Sequence, residues 1–152
     1  MKKVKALMFA FVLAGMTVVS CNSDDDAGPA ATIDGKWNQV KTVIRVNNVA
    51  LQDIPYDGDE EGCDKDYVEF AAAGVFNDVV YFDPAGSVEC QADMLDAGTW
   101  AKNGTTLTIS NDGDLEGVHQ IVKLTATELQ ISMSGQIGGV TTTSTIFLTK
   151  AN

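Results

Sequence analysis

Basic residues are scarce in this 152-residue chain, where ten Lys and Arg stand against 21 Asp and Glu. Three of the ten, Lys2, Lys3 and Lys5, fall in the first five residues, whereas every acidic residue lies at position 24 or later. A chain cleaved before Cys21 keeps seven basic residues against 21 acidic ones, a net charge of −14. Such a surface has no electrostatic footprint for nucleic acid and is repelled by anionic lipid head groups, and it favours a soluble monomer. Histidine is rarer still: His119 stands alone, with no nucleophile or ligand set near it in sequence. No Ser-His-Asp array and no glycine-rich phosphate loop is legible, so the chain reads as a non-enzyme with no metal and no cofactor. Helical periodicity is missing too, because no dozen residues repeat apolar positions at three and four.

One long apolar run is present, and it comes first. Residues 6–19 follow the basic start and end in Val18-Val19-Ser20-Cys21. The run is shorter than the roughly 20 residues of a membrane span, so it reads as the apolar region of a secretory signal. Its last residues resemble the lipobox of bacterial lipoproteins, whose cysteine is acylated and becomes the new N-terminus. Each buried methylene contributes about 0.8 kcal/mol, so several acyl chains on Cys21 give a stable anchor. The next residues, Ser23, Asp24, Asp25 and Asp26 among them, are small, polar and acidic. With nothing apolar to bury they read as a disordered tether over residues 21–31. The Ser-Asp-Asp-Asp run also resembles the export tag of Bacteroidota-type surface lipoproteins. The expected address is a lipid anchor in the outer membrane with the domain exposed at the cell surface; the alternative is a periplasm-facing domain.

Once Cys21 is assigned to lipid, Cys63 and Cys90 remain. An even pair in an exported chain, outside any C-x-x-C, reads as a disulfide, with two free thiols as the alternative.

Residues 32–152 form one domain of short strands. Strands are predicted over residues 36–46, 49–54, 67–70, 75–82, 98–102, 106–110, 118–124, 128–133 and 141–149, separated by turn chemistry. Asn103-Gly104 predicts a type I′ hairpin; Asn47-Asn48, Asp83-Pro84-Ala85-Gly86, Asn111-Asp112-Gly113-Asp114 and the glycines between 135 and 139 predict other turns. Connections this short join antiparallel neighbours. Leu129, Ile131 and Met133 alternate with Glu128, Gln130 and Ser132, so one face is dry. About eight such strands bury their dry faces by closing into an up-and-down barrel, with a two-sheet sandwich as the alternative.

Specific residues then accumulate in order. They are Ile33-Asp34-Gly35-Lys36-Trp37, Cys63 before Tyr67-Val68-Glu69-Phe70, Gly74, Cys90, Gly98-Thr99-Trp100, Asn103-Gly104-Thr105-Thr106-Leu107-Thr108-Ile109, and residues 121–129. Together they resemble the lipocalin-like domain common in Bacteroidota lipoproteins, over residues 32–150. The resemblance implies an eight-stranded barrel with the first tryptophan closing one end of the core, and no defined activity.

Trp37, Phe70, Phe76, Phe82, Trp100, Leu107, Leu129, Ile131, Ile146 and Leu148 are candidates to line a pocket for a small apolar or amphipathic ligand, or to form the core. Two loops, residues 57–62 and 112–117, share D-x-D-x-E-G, the opening of a calcium loop, but Val68 and Lys123 stand where a bidentate Glu is needed. Solvated turns are the reading for both. His119 is expected on a strand near a rim, and the hydroxyl run 141–145 on a solvent face. Two functions fit: a ligand-binding barrel, or a filled barrel that contacts an envelope protein or glycan.

Overall fold

In the computed structural model, residues 31–84 and 89–152 are described. The leader, Cys21 and the acidic residues Ser23 to Asp26 lie outside the described residues. Nine strands run in chain order: β1 (Gly35–Val46), β2 (Val49–Pro55), β3 (Tyr67–Ala71), β4 (Val75–Phe82), β5 (Gln91–Asn103), β6 (Thr106–Ser110), β7 (Gly117–Leu124), β8 (Glu128–Ile137) and β9 (Val140–Lys150). Sequential neighbours pair antiparallel from β3 onward, and β1 pairs with β9, which closes the sheet.

β1 changes partner along one edge. Its first residues, Gly35 to Trp37, pair with β3, whereas Lys41 to Val46 pair with β2. β1 and β3 to β9 therefore make a closed eight-stranded antiparallel barrel, and β2 is an extra strand on its rim. Closure excludes the sandwich alternative, because a single continuous hydrogen-bonded ring leaves no second sheet.

Directly opposed residues in an antiparallel pair share a face. Leu129 opposes Leu148, Ile131 opposes Ile146, Trp100 opposes Ile109 and Leu107 opposes His119, and this shared face is the barrel interior. The fully buried side chains gather toward the end where β1 begins, here called the plugged end. There Trp37 has no exposed surface, its Nε1 donates to the Ile33 carbonyl at 2.7 Å, and the Lys150 ammonium lies 4.3 Å from its ring centroid. Phe70 packs against the rings of Phe76 and Trp100, each at 5.5 Å. The glycine two residues before each tryptophan has its own reason. Gly35 sits at φ +107, a conformation that side chains with a Cβ rarely adopt; a Cβ on Gly98 would lie 2.1 Å from the Ser110 carbonyl oxygen.

Four expectations are corrected. β5 begins at Gln91, seven residues before the predicted start. Leu95 has no partner between the Asp78–Asp96 and Val79–Met94 pairs, and this bulge breaks the alternation that marks a strand in sequence. β8 continues past Met133 to Ile137, so its turn is Gly138-Gly139 alone, both at positive φ. The β5–β6 hairpin is not type I′ at Asn103-Gly104. Asn103 still pairs with Thr106, and Gly104 alone of the loop has positive φ, the pattern of type II′; Asn47 and Asn48, at φ 49 and 67, carry the I′ pattern instead. His119 is not near a rim but 1% exposed inside the barrel.

Candidate functional site

Beyond the packed layer, the inner face changes character strand by strand. On β8 and β9 the inward series Leu129, Ile131 and Leu148, Ile146 continues to the pairs Met133–Ser144 and Gly135–Thr142. These four residues, with Ser134 and Gln136, line a cleft of about 250 Å³ at the end of the barrel opposite the plug. Gly117 on β7, at φ +131, lies beside Met133, whose methyl would be in ordinary contact, 3.4 Å, with a Cβ there.

The wall across the barrel is acidic. On β4 and β5 the inward pair Phe76–Gly98 is followed by Asp78–Asp96, and Val68 of β3 flanks Asp78 on its other side. Burial, then the charges of Asp96, Asp66 and Asp114, push the Asp78 carboxyl up to about 6. Among the described residues, the ion pairs are Lys41–Asp53, Lys65–Asp59 and Lys123–Glu128, so no base neutralises this wall.

The loop between β6 and β7 folds over it. Leu115 is buried in the core, and its carbonyl accepts a hydrogen bond of 2.9 Å from His119 Nε2. Asn111, 8% exposed, buries both amide atoms without a partner. A Cβ on Gly113 would lie 2.1 Å from Asp96 Oδ2 and 2.8 Å from Asn111 Nδ2. Amide and carboxylate thus converge on a spot that only a glycine can border.

Asp66 organises the seam where β1 exchanges β3 for β2. Its carboxylate, 4% exposed, accepts hydrogen bonds from the Tyr81 amide at 2.7 Å and the Tyr56 hydroxyl at 2.8 Å. Its own amide donates to Asp59 Oδ1 at 3.0 Å, and its carbonyl accepts from Asn38 at 2.7 Å. Burial and the Asp66 carboxylate push the Tyr56 phenol well above its usual range.

These strands, closed in order around a tryptophan plug, are the observations that a comparison with known families tests. A family model described as a lipocalin-like domain matches residues 33–131. The chain belongs to the lipocalin-like domain family. The match runs from the Ile33 plug to Ile131 on β8, and β9, which closes the barrel, lies beyond it. The family consists in general of non-catalytic binding proteins. No curated protein matches the chain.

In this lipocalin-like barrel, Cys63 and Cys90 form a disulfide with Cα atoms 5.5 Å apart. Seven of the ten candidate lining residues, Trp37, Phe70, Phe76, Leu107, Leu129, Ile131 and Leu148, are buried core; Trp100 and Ile146 pack against it; Phe82 lies outside that cluster. The two D-x-D-x-E-G loops serve the fold. Asp59 accepts from the Asp66 amide, Glu60 from the Asp83 amide, and Gly113 and Leu115 seat the second loop on the mouth. Sequence reasoning missed Asp66, Asp78, Asp96 and Asn111. Asp78 alternates with Phe76 on a predicted strand, which was the one available signal that it faces inward.

Two further clefts lie elsewhere. One of about 470 Å³ at the plugged end is bordered by Thr32, Asp34, Gly74, Trp100 and Lys102. Another of about 360 Å³ is bordered by Lys36, Asp64, Lys65, Tyr67 and Tyr81.

Proposed function

We propose that this lipocalin-like protein is held in the outer membrane by lipid on Cys21, at the cell surface, and takes a small amphipathic molecule into the mouth of its barrel. The cleft at the open rim of the barrel, beside Met133 and Gly135, carries the reading. The interior is filled at the plugged end, so within the barrel a ligand finds room on the side where Met133, Thr142 and Ser144 replace the large core residues. An eight-stranded barrel holds at most one small ligand, which agrees with a cleft of this size. The lipobox-like sequence around Cys21 and the acidic run behind it support the address.

Native mass spectrometry of protein purified from its own envelope, followed by lipid extraction, tests the ligand. A bound species lost from Gly135→Phe is the expected result, and a barrel that is empty in every preparation overturns the reading. Cys21→Ala is expected to release the domain from membrane fractions; retention overturns lipid anchoring. Replacing Asp24, Asp25 and Asp26 with Ala is expected to remove protease accessibility on intact cells, and unchanged accessibility overturns the surface address.

One observation favours the second reading, a partner-binding module. All seven residues of β2 are exposed, Val49 and Leu51 among them, and among the described residues β2 pairs with β1 alone. A free strand edge is a template for an added strand. Envelope pull-downs that lose a specific protein on Leu51→Lys support this reading, and unchanged capture overturns it.

A further inference from the structure

We propose that the acidic wall of the mouth is a head-group subsite, and that the amphipathic ligand carries a primary ammonium held by Asp78, Asp96 and Asn111 while its apolar part occupies the Met133 cleft. This rests on the mouth-binding reading above and names the chemistry of its ligand.

Three independent observations converge. First, Asp78 and Asp96 oppose each other on the inner face, half-buried, and among the described residues neither carboxylate has a hydrogen bond or an ion pair. Two like charges set side by side without a counter-ion destabilise the fold, so a cation that completes them is favoured. Second, Asn111 is more than nine-tenths buried, both its amide atoms lack partners, and its amide converges with the Asp96 carboxylate beside Gly113. A buried amide left unsatisfied is costly unless something outside the chain completes it. It is Nδ2 that shares the spot with Asp96 Oδ2; Oδ1, equally buried and unpartnered, is a neutral acceptor on the same side chain. Third, the acidic wall on β4 and β5 lies across the ring from the apolar cleft on β8 and β9, since two barrel strands separate the two pairs in either direction. One wall suits a charge and the other a short hydrocarbon.

A small metal ion fits less well. Among the described residues no three His, Cys, Asp or Glu side chains converge to hold one ion. An ammonium has three N–H donors that point apart, and separately placed acceptors serve it.

The test is calorimetric titration with octylammonium, octanoate and octanol. Octylammonium is expected to bind about tenfold or more tightly than the other two, the worth of charge-assisted hydrogen bonds. In the double variant Asp78→Asn, Asp96→Asn the preference is expected to vanish, with octanol binding retained. Asp57→Asn, Glu61→Gln, which removes exposed charge elsewhere, is expected to keep the preference, so that general attraction to an acidic protein is separated from the subsite. Circular dichroism checks that each variant folds. Equal binding of all three compounds overturns the ammonium subsite and leaves the mouth reading standing. No binding of any of them, or binding untouched by Gly135→Phe, overturns the mouth reading and the subsite with it. Calcium chloride alone titrating the wild type and displacing octylammonium overturns the subsite in favour of a metal.

Discussion

Asp78 on β4 and Asp96 on β5 stand directly opposite each other on the inner face of the barrel, one step beyond the Phe76–Gly98 pair. Phe76 belongs to the dry core and Asp78 does not, so the floor of the mouth falls between two inward positions of the same strand. A barrel sorts side chains by depth as well as by face, and it is depth that separates plug from mouth.

Asp78 makes stability depend on pH. Its carboxyl is pushed up to about 6 by burial, then by Asp96 on β5, Asp66 ahead of β3 and Asp114 in the β6–β7 loop. An unfolded Asp titrates near ~3.9. Between those values the native chain holds more protons than the unfolded one, so Asp78 lowers stability as pH rises from about 4 to 6, and the full penalty applies above. Asp78→Asn is expected to stabilise the protein at pH 7.5 by about 1–2 kcal/mol, after discounting for solvent screening. The gain closes toward pH 4. Urea unfolding at the two pH values measures it; an equal gain at both contradicts the assignment.

Asp66 carries the seam. Asp66→Ala strips acceptors from the Tyr81 amide and the Tyr56 hydroxyl, and is expected to cost about 2–4 kcal/mol. Asp66→Asn keeps one acceptor oxygen and is expected to cost less. Guanidinium midpoints of the two variants give the comparison.

Trp37 is the plug. Trp37→Ala leaves a cavity among Ile33, Phe70 and Leu148 and abandons the hydrogen bond to the Ile33 carbonyl, with an expected loss of about 3–5 kcal/mol. Trp37→Phe refills most of the volume and is expected to cost less than half of that. Thermal unfolding followed by near-ultraviolet circular dichroism distinguishes them.

The Cys63–Cys90 bridge ties the β2–β3 loop to the start of β5 over a separation of 27 residues. In the chain-entropy account a loop of that length contributes about 3–4 kcal/mol. Cys63→Ser with Cys90→Ser is expected to lower stability by up to that amount. Reduction of the wild type should bring its urea midpoint to that of the double variant.

Gly98 admits no side chain. A Cβ there meets the Ser110 carbonyl oxygen at 2.1 Å and Asn111 Cβ at 2.8 Å, and neither backbone nor buried loop can retreat freely. Gly98→Ala is expected to destabilise by about 2 kcal/mol or more and to open the β6–β7 loop. Hydrogen exchange at residues 111–116 reads the opening directly.

Local pattern was enough for much of the fold. Leu129, Ile131 and Met133 declare an inner face because a strand repeats every two residues, and Asn47-Asn48 declares a tight turn because few residues tolerate positive φ. The family, too, was legible from Gly35-Lys36-Trp37 through residues 121–129, and the pairing of Cys63 with Cys90 from their even count once Cys21 is set aside. β5 escaped because a bulge at Leu95 shifts the period by one, and exposed residues from Gln91 to Leu95 offer no dry face to find.

The mouth required the tertiary structure. Alternation assigns Asp78 to the inner face, but it cannot tell that Asp96, 18 residues on, stands opposite it, because register depends on a bulge and on closure of the whole ring. Nor does it place Asn111, whose burial follows from Leu115 pulling a polar loop into the core. The sequence by itself determined most strand faces, the Asn47-Asn48 turn, the acidic charge and the family, since each depends on neighbours in the chain. Only the closed barrel decided which inward residues fill the plug and which surround the mouth, because depth along a barrel depends on contacts between strands far apart in sequence.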